Sequence, residues 1–313
     1  MSDLVLRMVT RTSGANAALK EGTVEPQGFR FAFEEVPVLV QAFRRMVRGL
    51  EFDVSEMALT TYLVAKAYGV RFTALPLPIV RGFHHGAVQV LDGSDVRTPA
   101  DLAGRRVGVN RGYTVTTGVW ARAVLQDEHG LDLSTVTWVL SGDEHVAAYR
   151  PPAHVVPVEP GRTLEELLRS GDLAAVVGAD LDAPDVVPLL PDPVEAGFAA
   201  LRSRGHYPVN HVVVVRDELL DASPDLAAQV IDAFARAKQP YVERLHQGQL
   251  LDAADRTYAR VMQETGADPL PYGLEPNRAV LEELVRAAVD QRILDRPVAL
   301  EDVFAPGTHS LTA

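Results

Sequence analysis

EFDVSEMALTTYLVAKAYGVRFTALPLPIVRGFHHGAVQ, residues Glu51 to Gln89, sets polar groups at the ends of apolar strands. Phe52 to Met57 reads as a short strand carrying Ser55 and Glu56, and Leu59 to Tyr68 has apolar residues at helical spacing. Ser55, Thr60 and Thr61 are placed to cap that helix, whose N-terminal N–H groups would favour an anion such as a ligand carboxylate. Phe72 to Pro78 is a further strand, and Gly86 to Leu91 another. Between them stand Arg81, Phe83, His84 and His85, either a solvated basic loop or part of a site. A second polar cluster would favour the site.

That cluster comes downstream in HYPVNHVVVVRDELL, His206 to Leu220. Four consecutive valines, Val212 to Val215, fit a strand buried on both faces. His211 at its start is a second candidate, with a hydrogen-bonded core histidine as the alternative.

The remaining chain is consistent with an α/β protein. Leu4 to Val9 and Phe29 to Val36 read as strands and Leu39 to Arg48 as an amphipathic helix, an alternation that argues for a sheet with helices on its faces. A turn-rich patch, DGSDVRTPADLAG, marks a crossing between lobes. The pattern then restarts with RRVGVN, the loop GYTVTT and a helix from Gly118 to His129. Tyr113, Thr114, Thr116 and Thr117 would sit at that helix N-terminus, as anion ligands or simply as caps. Further strands, Val136 to Leu140 and Leu173 to Val177, end near Glu144 and Asp180, the tips at which open α/β sheets bind ligands. Trp120 reads as core, with a cover over a ligand ring as the alternative. Beyond Pro224 the chain reads as helical, over Asp225 to Leu245, Leu250 to Thr265 and Arg278 to Arg292.

Composition narrows the function. The 313 residues carry 42 acidic against 30 basic side chains, a formal charge of -12 that disfavours nucleic acid. The absence of cysteine excludes disulfides, thiolate zinc sites and a cysteine nucleophile. MSDLVLRMVTRTSG has no uninterrupted apolar stretch of the secretory type, and no run reaches about 18 apolar residues, so a cytoplasmic protein off the membrane is expected. There is no GK[ST], no G-x-G-x-x-G and no flavin or pyridoxal phosphate motif, so no cofactor is expected. Adjacent His84 and His85 on an extended chain point to opposite faces, which argues against a metal shared with His211 and Glu56. The C-terminal helices suit a homodimer interface as readily as packing on their own lobe.

Two α/β halves with a helical tail resemble the type II periplasmic-binding-protein fold. The resemblance implies a ligand cleft between lobes, lobe 1 being residues 1–95 and 206–313 and lobe 2 residues 96–205. FDVSEMALTTYLVAKAYG, FTALPLPIVRGFHHGAV, LAGRRVGV with TTGVWARAVLQDEHGLD, YPVNHVVVVRDELL, and DPLPYGLEPNRAVLEELVRAAVDQRILDRPVALEDVF resemble the 4,5-dihydroxyphthalate decarboxylase family. The resemblance implies nonoxidative loss of CO2 from a hydroxylated aromatic acid. It assigns acid/base roles to His85 and His211 and a carboxylate anchor to Arg81. Ser55, Glu56, His84, Tyr113, Thr114, Thr116, Thr117, Glu144 and Asp180 are then substrate contacts. One departure concerns the substrate: the family pattern has Arg where this chain has His84, which weakens a bidentate clamp and points to an acid with one carboxylate fewer. A solute-binding protein and a menaquinone-biosynthesis-type lyase are the alternatives this fold allows.

Overall fold

A computed structural model describes residues 4–313. They form two compact units: one takes the chain through Arg81, Val209–Leu281 and Val298–Ala313, the other Gly82–Pro208 and Glu282–Pro297. The sequence places its crossings at the DGSDVRTPADLAG patch and near residue 206. The observed divisions fall at Arg81/Gly82 and Pro208/Val209, with a further excursion over Glu282–Pro297.

The first unit begins with β1 (Leu4–Val9), α1 (Ala17–Lys20), β2 (Phe29–Phe33), α2 (Leu39–Gly49), β3 (Val54–Ala58), α3 (Leu59–Ala67) and β4 (Phe72–Arg81). The second contains β5 (Val88–Leu91), β6 (Arg106–Val109), α4 (Thr116–Asp127), β7 (Thr137–Leu140), β8 (Val155–Pro157), α5 (Leu164–Arg169), β9 (Ala175–Val177), β10 (Val186–Pro188) and α6 (Pro193–Arg204). β11 (Val209–Arg216), α7 (Asp217–Ala222), α8 (Leu226–His246), α9 (Ala253–Thr265), α10 (Arg278–Asp290) and α11 (Leu300–Val303) complete the chain.

The first unit's sheet has the order β2-β1-β3-β11-β4. β1 is parallel to β2 and β3, whereas β11 runs antiparallel between β3 and β4. Val212 to Val215 are all fully buried, because alternate valines meet opposite layers. Val213 and Val215 join Leu75, Leu77 and Ile79 in a cluster with Val230 and Phe234 of α8. The tail is less uniformly helical than its sequence suggests. Phe304 bridges to Ala74 on the outer edge of β4, and Gly273 bridges to Thr312. Those bridges blunt an otherwise unpaired strand edge.

The second unit's sheet has the order β10-β5-β9-β6-β7-β8. Leu164, Leu167 and Leu168 of α5 pack on Val139, Val176 and Val186. Gly108 in β6 admits this layer: a Cβ there would lie 2.9 Å from both Leu164 and Leu173. Among the described residues no helix is long and apolar enough to cross a membrane.

Burial of β11 on both faces makes it intolerant of polarity. Val213→Thr keeps the shape but buries a hydroxyl, and should cost on the order of 1–3 kcal/mol, read as a lower urea midpoint at unchanged slope.

Candidate active site

Strand pairing brings Glu56 and His211 together. His211 lies opposite Ala58 and Val213 opposite Glu56, so the two polar side chains are diagonal neighbours on one face. His211 Nδ1 lies 2.6 Å from Glu56 Oε1. The other carboxylate oxygen, Oε2, accepts from the Thr10 hydroxyl at 2.8 Å and the Arg11 N–H at 2.9 Å. Thr10 and Arg11 are available because β1 runs parallel to β3 with Val9 beside Ser55, which carries the next residues past Glu56. Asn16 fixes the turn that follows, donating to Thr10 Oγ1 and to the Arg11 carbonyl. Phe43 of α2 meets the His211 ring edge-on at 5.2 Å between centroids.

Electrostatics favour an ionised Glu56. Burial alone would raise its pKa, but the His211 hydrogen bond and charge, with Arg11 N–H and the Thr10 hydroxyl, hold it below the ordinary value. An ionised Glu56 accepts a hydrogen bond from the N–H at His211 Nδ1, which leaves Nε2 as the exchanging nitrogen. The His211 side chain is 22% exposed, so proton exchange with a ligand or solvent is open to it. Thr10 and Arg11 also line a cavity of about 270 Å³ with Glu35, Val36 and Leu39.

Other residues singled out in the sequence have different surroundings. Ser55 does not cap α3. It is buried in β3 and donates to the Glu56 carbonyl at 2.7 Å. Thr60 and Thr61 do not cap it either: the N-cap is Ala58, without a side-chain bond, and both threonines are buried within the helix. Arg81 is the last residue of β4, and its Nη1 donates to Asn277 Oδ1 at 3.1 Å.

In the second unit, the loop before α4 already holds an anion, the Glu144 carboxylate. Glu144 accepts from the N–H of Tyr113 at 2.5 Å and from the N–H and hydroxyl of Thr114 at 3.2 and 2.6 Å. Glu144 is therefore a buried internal ligand of this loop. Gly112 permits the wrap, since a Cβ there would lie 2.5 Å from Glu144 Oε2. Thr116 and Thr117 form the first turn of α4, with the Thr117 methyl against Gly178. Asp180 stands exposed in the left-handed region, φ 50°. Trp120 is core, edge-on to His206 at 5.5 Å.

His84 is buried, as is His85, whose side chain is 0% exposed. His85 Nε2 lies 3.1 Å from both oxygens of Glu128. Arg204 bridges Glu128 at 2.5 Å and Glu283 at 2.8 Å, and Glu283 holds His206 Nδ1 at 3.0 Å. This alternation of charges ties α4, α6 and α10 together. Burial opposes ionisation of Glu128, yet the His85 hydrogen bond and charge, then those of Arg204, bring its pKa down to about 2.

No protein-family model matches the chain. Over 289 residues it is 27% identical to 4,5-dihydroxyphthalate decarboxylase of Comamonas testosteroni, covering 86% of each chain. Over 147 residues it is 35% identical to the Pseudomonas putida protein of that name, covering 44% of this chain and 56% of the relative. The chain is a homologue of 4,5-dihydroxyphthalate decarboxylase. Among solved structures, the periplasmic aliphatic sulphonate binding protein SsuA of Escherichia coli matches with TM-score 0.57 at 13% identity, covering 98% of this chain and 94% of that one. The desulfurization enzyme DSZB matches with TM-score 0.54 at 18% identity, covering 97% of each. These likenesses show the fold: a two-sheet α/β architecture of the type II periplasmic-binding-protein kind with C-terminal helices.

The pairing of Glu128 with His85 and Arg204 has a pH signature. Its folded pKa lies below the ordinary 4.5, so its contribution to stability is complete above pH 4.5 and is lost as pH falls through about 2. Glu128→Gln should be less stable than the parent at pH 5, with a flatter fall in unfolding free energy between pH 4.5 and 2 in urea titrations.

Proposed function

We propose that the protein is a carbon–carbon lyase that removes CO2 without oxidation from a hydroxylated aromatic carboxylic acid. The observation that carries this reading is the Glu56–His211 dyad, a partly exposed imidazole oriented by a buried, ionised carboxylate. The homology supplies the reaction class.

In an acid whose carboxylate stands para to a phenol, loss of the phenolic proton sends electron density to the ring carbon bearing the carboxylate. A proton delivered there forms a C–H bond. The C–C bond to the carboxylate then breaks, its electron pair returns to the ring, CO2 leaves and aromaticity is restored. The phenol oxygen regains a proton on release, so the net reaction consumes one proton from solvent. His211 Nε2 delivers the proton to the ring carbon while the phenol exchanges its proton with solvent, and Glu56 keeps the imidazole in the required tautomer and stabilises its charged form. Arg81, oriented by Asn277, supplies the cation for a carboxylate. In this reading His85, enclosed and bound to Glu128, shapes the β4–β5 connection, while His211 has the access that proton transfer requires. With His84 in place of an arginine, a substrate with a single carboxylate is favoured.

The test is CO2 release and product mass from purified protein offered hydroxylated benzoates and phthalates. Para-hydroxylated acids should turn over, and His211→Ala and Glu56→Gln should each lower kcat by about 10²–10⁴-fold while retaining a cooperative melt. Full turnover by His211→Ala would remove the dyad from the mechanism. His85→Ala that folds but fails to turn over would give the second imidazole a share in the chemistry. Tight binding of one acid without CO2 release would instead make the protein a solute binder.

A further inference from the structure

Away from the dyad, the second unit contains a cavity of about 450 Å³, within the range of small-molecule sites. It is bounded by the end of α4, the turn at Asp132–Ser134 and the end of α10, and its polar lining includes Tyr113, His154 and Arg292 together with two acids, Asp132 and Asp290. Tyr113 is 0% exposed, and among the described residues its hydroxyl has no partner. A buried phenol without one is uncommon and calls for an explanation. Among the described residues, neither the Arg292 guanidinium nor the His154 ring makes a hydrogen bond or ion pair. Arg292 also adopts φ 57° just beyond α10, a position and conformation that ordinarily fall to glycine.

The surroundings select the charge of the ligand. Arg122 lies fully buried behind Tyr113, its guanidinium 3.9 Å from the ring centroid, with Nη2 on the Tyr113 carbonyl and Nε on Gln291. His154 responds to this field: burial lowers its pKa first, the charges of Arg292 and Arg122 lower it further, and Asp132 opposes them without reversing the direction. The nearby acids have partners already. Asp132 accepts from the N–H and hydroxyl of Ser134, and Asp290 lies 3.9 Å from Arg286. Leu131 and Leu133 provide an apolar wall.

We infer that this cavity is a second small-molecule site, selective for an organic carboxylic acid. Its carboxylate pairs with Arg292 beside His154, its apolar body lies on Leu131 and Leu133, and Tyr113 donates its hydroxyl. The site does not depend on the decarboxylase reading, because it shares no residue with the dyad.

Isothermal titration of the full chain with benzoate, and separately with inorganic phosphate, tests the inference. The parent should bind benzoate in preference to phosphate, Arg292→Gln should bind it at least about tenfold more weakly, and Tyr113→Phe severalfold more weakly. Glu56→Gln should retain this binding, which separates the site from the dyad. Arg292→Gly relieves the left-handed backbone, so it should melt no lower than the parent and still lose benzoate. Equal benzoate binding by Arg292→Gly and the parent, or phosphate binding as tight as benzoate, would overturn the inference.

Discussion

β11 is hydrogen-bonded on both edges and buried on both faces, and the polar arrangement of the first unit follows from its register. Four buried valines leave the strand little freedom to slide, because a slip by one residue would exchange its two faces and carry His211 into an apolar layer. With the register fixed, His211 falls on the diagonal from Glu56. The parallel pairing of β1 with β3 then supplies Thr10 and Arg11 for the second carboxylate oxygen. Apolar packing therefore sets the geometry of a polar dyad without any flexible loop holding it.

Carboxylates are neutralised differently in the two units. Glu56 keeps its charge through one imidazole, one hydroxyl and one amide, an arrangement that leaves the imidazole partly open. Glu144 accepts from two backbone N–H groups and a hydroxyl, and so fixes the loop before α4. Glu128 and Glu283 share Arg204, each holding a buried histidine. Breaking one side of such a chain would strand the remaining charge in a poorly solvated place, which explains why buried ionic chains are costly to dismantle.

Much of this framework was legible in the chain. β1 occupies Leu4–Val9, the stretch read as a strand, and α8, α9 and α10 follow their helical periodicity to within a few residues. The valine run announced β11, and the polar segments supplied Glu56 and His211 as candidates, although the resemblance paired His211 with His85 and gave Glu56 only a substrate contact. Caps were read less well. Ser55, Thr60 and Thr61 have capping chemistry, but tertiary burial placed Ser55 inside a strand and both threonines inside α3. The partners of His85 and His206 were illegible for another reason. Glu128 and Glu283 lie 43 and 77 residues away along the chain, and helical periodicity reports which face is apolar without saying which charged residue will face which. Thr10 was likewise hidden, since a lone threonine after a strand carries no signal until the register of the parallel pair is known.

The strand order also constrains how the first unit can be made. Within its sheet β4 pairs only with β11, and the whole of Gly82–Pro208 is synthesised between them. Until β11 emerges, one edge of β3 and the apolar β4 have no partner, and a long loop must close before either gains one. During translation the nascent chain thus carries an open, hydrophobic sheet edge. Such an edge is a template for wrong pairing, and a slow ribosome or a crowded polysome would lengthen its exposure.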